Sequence, residues 1–362
     1  HQIIADFKLE MKKRYTLIGD NDHEHVKNVR SFRPEIDAKD IRLLMEKSDK
    51  LALRDTLIWL GVMFISAFLA IMFSPSLLSV PFWLIYGVMY GSAADARWHE
   101  CGHRTAFKTL WLNEFVYQIS CFMMMRNPIT WRSSHVRHHT DTIIVGRDPE
   151  IVAMRPPDLG RIILNLFGII DVIDAFKRIF LHASGRINDE EATYVRTKDY
   201  AKVFLIARIW LLLYLSIILL CLNLNSILPL MVVGLPRLYG AWHHVLTGVL
   251  QHLGLAENVS DHRLNTRTVL MNPISRFIYL NMNYHLEHHM FTMVPYYNLP
   301  KLHELIKHDV PKPETSIFNA YKRLIPVLIK QLKYEDAVIV PDLPEGATPY
   351  QKEVNKLLKN AV

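Results

Sequence analysis

Three cysteines among 362 residues leave no disulfide framework, and no Cys-x-x-Cys pair offers a zinc ribbon or a rubredoxin-like site. No stretch resembles GxGxxG or a phosphate-binding P-loop, so a built-in nucleotide domain is not expected. The apolar half of the composition argues against disorder, and a fibre repeat is missing as well. Charge is also absent from long stretches. Leu57 to Phe73 carries no charged residue, and Leu77 to Ala94 follows with none. Each is near the lower limit for crossing about 30 Å of hydrocarbon. Val203 to Leu222 and Ile227 to Leu250 form a second pair, joined by the uncharged Asn223-Leu224-Asn225-Ser226.

The net charge of +7 could suggest nucleic acid, but its placement suggests otherwise. Lys and Arg number 12 in residues 1–54, 15 in 95–202 and 13 in 251–362. The other two, Arg208 and Arg237, lie inside the second pair. One-sided positive charge marks a cytoplasmic side. The expectation is an all-α integral membrane protein with four transmembrane helices in two hairpins and a cytoplasmic helical cap. Its parts are N-terminal helices (1–54), hairpin 1 (55–95), a cytoplasmic or interfacial region (96–202), hairpin 2 (203–250) and a cap with tail (251–362). Residues 161–183 read as an amphipathic interfacial helix, and Leu110 to Met125 as interfacial or re-entrant. Residues 315–333 read as an amphipathic helix interrupted at Pro326, and 335–362 as a strap ending in a short charged helix. No cleavable signal peptide is visible, and a chain beginning at His1 is expected to be trimmed or processed.

Histidine is abundant, with eighteen residues, and eight of them fall into boxes near the ends of the apolar runs. The first is His99-Glu100-Cys101-Gly102-His103, an i, i+4 pair able to reach one metal from one helix face. The second is His135-Val136-Arg137-His138-His139, and the third His285-Leu286-Glu287-His288-His289. His252, where the fourth apolar run ends, is a ninth candidate ligand. Imidazoles alone do not choose between iron, copper, nickel and zinc. Their number does bear on stoichiometry: one structural zinc takes four ligands, so nine imply two metals. Residues suitably placed to orient the rings are Glu100, Asp141, Asp148, Glu257, Asp261, Asn281, Asn283 and Glu287. Arg237, His243 and His244 are candidates for a substrate channel, with pairing of Arg237 to Asp95 as the alternative.

His99 to His103 also spells HExxH, the zinc-protease pattern, but that reading leaves six histidines unused. A ferritin-like carboxylate site would need two Glu-x-x-His pairs, and only Glu100 with His103 fits. A metal transporter would place its ligands at the bilayer midplane rather than at one surface.

The order HxxxH, HxxHH, isolated His, HxxHH resembles the membrane fatty acid desaturase/hydroxylase superfamily over roughly residues 55–295. Gln251-His252-Leu253-Gly254-Leu255 and Gly146-Arg147-Asp148-Pro149-Glu150 resemble segments of alkane monooxygenases. HECGHRTAFKT is similar to the branch that includes rhizopine oxygenase-like proteins, whereas Tyr284-His285-Leu286-Glu287-His288-His289 is closer to desaturases. The resemblance implies a non-haem di-iron centre on His99, His103, His135, His138, His139, His252, His285, His288 and His289. It also implies an O₂-dependent monooxygenase that hydroxylates or oxidatively demethylates a hydrophobic or methylated substrate, with acyl-lipid desaturation as the alternative. Electrons would come from a soluble ferredoxin, Rieske-type ferredoxin or rubredoxin with its reductase, steered to the basic face. The expected location is a bacterial inner membrane, with both termini and the metal site cytoplasmic.

Overall fold

A computed structural model describes residues 15, 17 and 31–350. Most of the expected N-terminal helices, and the charged helix expected at the C-terminal end, lie outside the described residues. Among the described residues every regular element is helical, and an isolated bridge pairs Val269 with Glu314.

Three stretches are long and apolar enough to cross a membrane: Ala38–Phe73, Leu77–Gly102 and Thr197–Leu224. The first begins with helix α1 (Ala38–Leu44) and continues as α2 (Asp49–Phe73). Ser48 caps α2 by accepting a hydrogen bond from the Leu51 amide. At 25 residues α2 is about 37 Å long. It buries Ala52, Trp59, Met63, Ala67 and Ala70 along one stripe and exposes Leu57, Phe64, Ile65 and Phe68, a lipid-facing pattern. The second stretch is two helices, α3 (Val80–Gly91) and α4 (Ala93–Gly102), which meet at the non-helical Ser92. Next, α5 (Leu110–Met124) packs back on α4, and α6 (Pro128–Thr140) starts at the Asn127 cap. Asn127 Oδ1 accepts from the Ile129 and Thr130 amides.

The amphipathic stretch at 161–183 is two helices, α7 (Leu159–Asn165) and α8 (Ile169–Ala183), divided at Gly168, whose φ is +66°. The short α9 (Asp189–Ala192) leads to α10 (Tyr200–Leu224), the third long span.

The expected fourth span is not a continuous helix. Residues 227–250 form three short pieces, α11 (Leu228–Val232), α12 (Pro236–Tyr239) and α13 (Trp242–Val249). Pro229 and Pro236 lack the amide a helix interior needs, and Gly234 sits at φ +104°. The pieces still run beside the second stretch and in its direction. Tyr86 OH donates to Val232 O, Ser92 Oγ donates to Gly240 O, and the His244 amide donates to Ser92 Oγ. Gly87, Gly91 and Gly240 permit this approach, because a Cβ on Gly240 would lie 1.7 Å from Gly87 O. His252 therefore arrives at the same end of the molecule as His99.

The remainder covers that end: α14 (His262–Asn265), α15 (Pro273–Ile278), α16 (His285–Met290), α17 (Leu299–Ile306) and α18 (Ile317–Gln331). The interruption expected at Pro326 does not occur. Helix α18 continues through it, held by buried Ala320, Leu324, Val327 and Leu328, so the lost backbone hydrogen bond is outweighed by packing.

Candidate metal centre

The three boxes sit on short or terminal helical turns. Box 1 occupies the last turn of α4 with His103 as its cap, box 2 the last turns of α6, and box 3 is nearly all of α16. The tertiary fold brings all nine histidines together in two groups, in each of which the ligand atoms lie within 4.8 Å of one another. One group is His99, His103, His135, His139 and His288; the other is His138, His252, His285 and His289. In boxes 2 and 3 the i, i+4 pair stays together while the histidine between them crosses to the opposite group. His138 of box 2 joins the group centred on box 3, and His288 of box 3 joins the group centred on box 2.

The donor set fits metal ions. Ring nitrogens converge on one another: His103 Nε2 is 3.0 Å from His135 Nε2, which is 3.1 Å from His139 Nε2. His139 Nε2 lies 3.2 Å from His288 Nε2, and His289 Nε2 lies 3.1 Å from His285 Nε2. Both nitrogens of His99 and the Nε2 of His252 are buried without a hydrogen-bond partner. Two nitrogens bound opposite each other at about 2.1 Å from a metal are about 4.2 Å apart, so small ring movements close either set on an ion.

Second partners fix several rings. His135 Nδ1 donates to Glu150 Oε2 at 2.8 Å, and His138 Nδ1 donates to Asp148 Oδ2 at 2.9 Å. His252 Nδ1 donates to Asn265 O at 2.9 Å, and His289 Nδ1 lies 3.1 Å from Thr142 Oγ1. For His135, His252 and His289 the bond leaves the opposite nitrogen as the lone pair turned into its group. Burial, reinforced by neighbouring imidazoles, holds His103, His135, His139, His252, His285, His288 and His289 well below the usual histidine range. They are neutral and able to ligate. His138 differs: burial lowers it, but the Asp148 carboxylate more than offsets this and brings it up to about 9. Burial raises Glu150 to about 7, so an adjacent cation would favour its ionised form.

Several residues expected to orient the rings are committed elsewhere. Glu100 Oε1 accepts from Thr105 Oγ1 and the Tyr296 amide, while its Oε2 is buried without a hydrogen-bond partner. Asp141 pairs with Arg147, Glu257 pairs with Arg155, and Asp261 pairs with Arg263. Asn281 bonds Tyr296 O and Arg276, and Asn283 bonds Val269 O. For these five, the bonds seen go to an arginine or a carbonyl. Glu287 is buried inside box 3 but faces away, accepting from Thr268 and pairing with His303 at 2.5 Å. Glu150 and His303 were not singled out from the sequence. The signal for Glu150 was there, in the acidic-proline stretch after box 2.

The channel candidates form a buried chain of charges. Arg237 Nη1 is 3.3 Å from His244 Nε2, and its Nη2 is 3.7 Å from Asp171. His244 Nδ1 is 3.7 Å from Asp95, which also pairs with Arg126. Arg237 thus reaches Asp95 through His244, while His243 Nε2 bonds Ser275 Oγ.

Replacing Glu150 with Gln is expected to weaken metal binding in the five-histidine group 10- to 100-fold, a range typical of such outer partners. Asp148→Asn should do the same to the four-histidine group. Competition with a chelator measures both, and equal affinities in wild type and variants would show that these carboxylates do not govern the rings.

The fatty acid desaturase family profile matches residues 75–320. The chain is 25% identical over 256 residues to an sn-1 acyl-lipid omega-3 desaturase (ferredoxin) of Nostoc sp. (strain 36), covering 62% of this chain and 66% of that one. It is 30% identical over 100 residues to an endoplasmic-reticulum omega-6 fatty acid desaturase of Brassica juncea, 26% of either chain. A Delta(12) fatty acid desaturase of Mortierella alpina is 29% identical over 107 residues, 29% of this chain and 27% of that one. The matched regions thus span from about a quarter to just under two thirds of these relatives' lengths.

Proposed function

The chain belongs to the fatty acid desaturase family, and from that premise we propose that it is a membrane-bound, O₂-dependent oxidoreductase that introduces a double bond into a lipid acyl chain. The partition of nine histidines, seven of them buried, into interlocked groups of five and four carries the reading. Two iron ions held there would supply the oxidising chemistry that takes hydrogen from an unactivated C–H bond, with O₂ reduced to two waters by two hydrogen atoms from the acyl chain together with two electrons and two protons from outside. The remaining work falls to the chain. His135 and His252 hold their inward nitrogens unprotonated through bonds to Glu150 and Asn265 O, and Asp148 aims the His138 ring, which gives up its second proton when an ion binds. The lipid-facing sides of α2 and α10 keep the centre at the membrane, where an acyl chain resides.

Desaturation is preferred because the three relatives described above carry desaturase names. The oxygen-inserting reading is favoured by the Gln251 to Leu255 segment, which places His252 in the four-histidine group. A soluble ferredoxin, Rieske-type ferredoxin or rubredoxin would supply the electrons, and the Nostoc relative's name includes ferredoxin.

Metal analysis of detergent-purified protein should return two irons per chain, whereas one zinc would revive a hydrolytic reading. Turnover of acyl lipids under ¹⁸O₂ should then give an unlabelled alkene. A labelled alcohol would replace desaturation with hydroxylation, and a demethylated product would point to attack on a methyl group.

A further inference from the structure

We propose that an acidic one-electron carrier protein docks over the edge of the five-histidine group, on a patch formed by Arg104, Arg132 and Val136. The proposal rests on the oxidoreductase reading above and names where its electrons enter.

Seven of the nine histidines are buried, and the two that are partly exposed, His103 and His139, both belong to the five-histidine group. The five-histidine group is therefore the one whose rings reach the surface. Val136, one residue after His135 in box 2, is 59% exposed on the outer side of α6. Arg132 stands one turn before it. Arg132 is held beside box 1 by a bond from Nε to Gly102 O at 3.3 Å and by its place 4.1 Å above the Tyr117 ring. Arg104, directly after His103, shares the carboxylate of Glu114 with Arg132, at 2.9 and 2.8 Å. Two guanidinium groups on one carboxylate leave a net positive charge. An apolar centre with a cationic rim is the anatomy of an interface for an acidic partner.

The opposite approach is less suited. A cavity of about 480 Å³ lies behind the four-histidine group, lined by Arg267, Lys312 and Arg323 but equally by Glu314, Asp342 and Glu345. Its charges balance, and it reaches His252 only through the Thr266 hydroxyl, 3.2 Å from Nδ1.

The test is a binding titration of the iron-loaded full chain in detergent with a plant-type [2Fe–2S] ferredoxin of net negative charge. Arg104→Glu and Val136→Glu should each weaken binding about tenfold or more and raise the KM for ferredoxin by the same factor, with iron content unchanged. Arg104→Lys should restore most of the binding, Lys312→Glu should leave it unchanged, and raised salt should weaken the wild type. No binding by wild type, no effect of the two front variants, or an equal effect of Lys312→Glu would each overturn the docking site. Binding is read without turnover, so a failure to oxidise any acyl lipid would sink the oxidoreductase reading and leave the docking result standing.

Discussion

A His288→Ala protein should lose the ion of the group that contains His135 and His139, not the one that contains its own neighbours His285 and His289. His138→Ala should do the reverse. Either change is expected to lower the iron content from two to one per chain. It should also cut turnover by at least a thousandfold, about 4 kcal/mol in the barrier, because the reaction requires both ions. Mössbauer spectra of the remaining ion identify which one was lost. His288→Ala should share its spectrum with His135→Ala, and His138→Ala should share its own with His289→Ala. Spectra that group by box, with His288 beside His285, would show that the side chains do not cross over.

The second large effect concerns the broken segment. A methyl group on Gly240 would stand 1.7 Å from Gly87 O and 2.1 Å from Gly87 C, backbone atoms that cannot rotate away. Overpacking of side chains usually costs about 1–3 kcal/mol. With backbone on both sides, Gly240→Ala should cost at least the top of that range and yield little folded protein. Gly61 provides the control, since nothing lies within 4 Å of a Cβ built there. Gly61→Ala should be neutral or more stable by up to about 1 kcal/mol, as expected for alanine in a helix. Thermal unfolding in detergent measures both, and a Gly240→Ala protein that unfolds at the wild-type temperature would contradict the close crossing.

The nine histidines were legible because two physical rules act locally. Spacing of i, i+4 puts two rings on one face, and a cluster that recurs at the ends of apolar runs marks one depth in the membrane. Their division between groups was not legible, since the crossing of His138 and His288 depends on how α6 and α16 meet. Segment 227–250 misled for another reason: its hydropathy suits a span, yet Pro229, Gly234 and Pro236 break the helix and Gly240 permits the close crossing. The outer partners divide in the same way. Asp148 reaches His138 from ten residues away, whereas Asp141, only two residues from His139, turns to Arg147. Glu150 reaches His135 across fifteen residues because the chain folds back after α6.

The crossing of His138 and His288 also bears on how the protein matures. Each group draws ligands from both α6 and α16, and His139 and His288 are 149 positions apart. A nascent chain that has delivered only boxes 1 and 2 lacks one ligand of the five and three of the four. Neither ion can be seated in its full set until residues beyond 285 have been synthesised and docked. Because ion binding is also folding free energy, capture of one ion draws α6 and α16 together and preforms the other group. Loading should therefore be positively cooperative, with singly loaded protein scarce when iron is limiting.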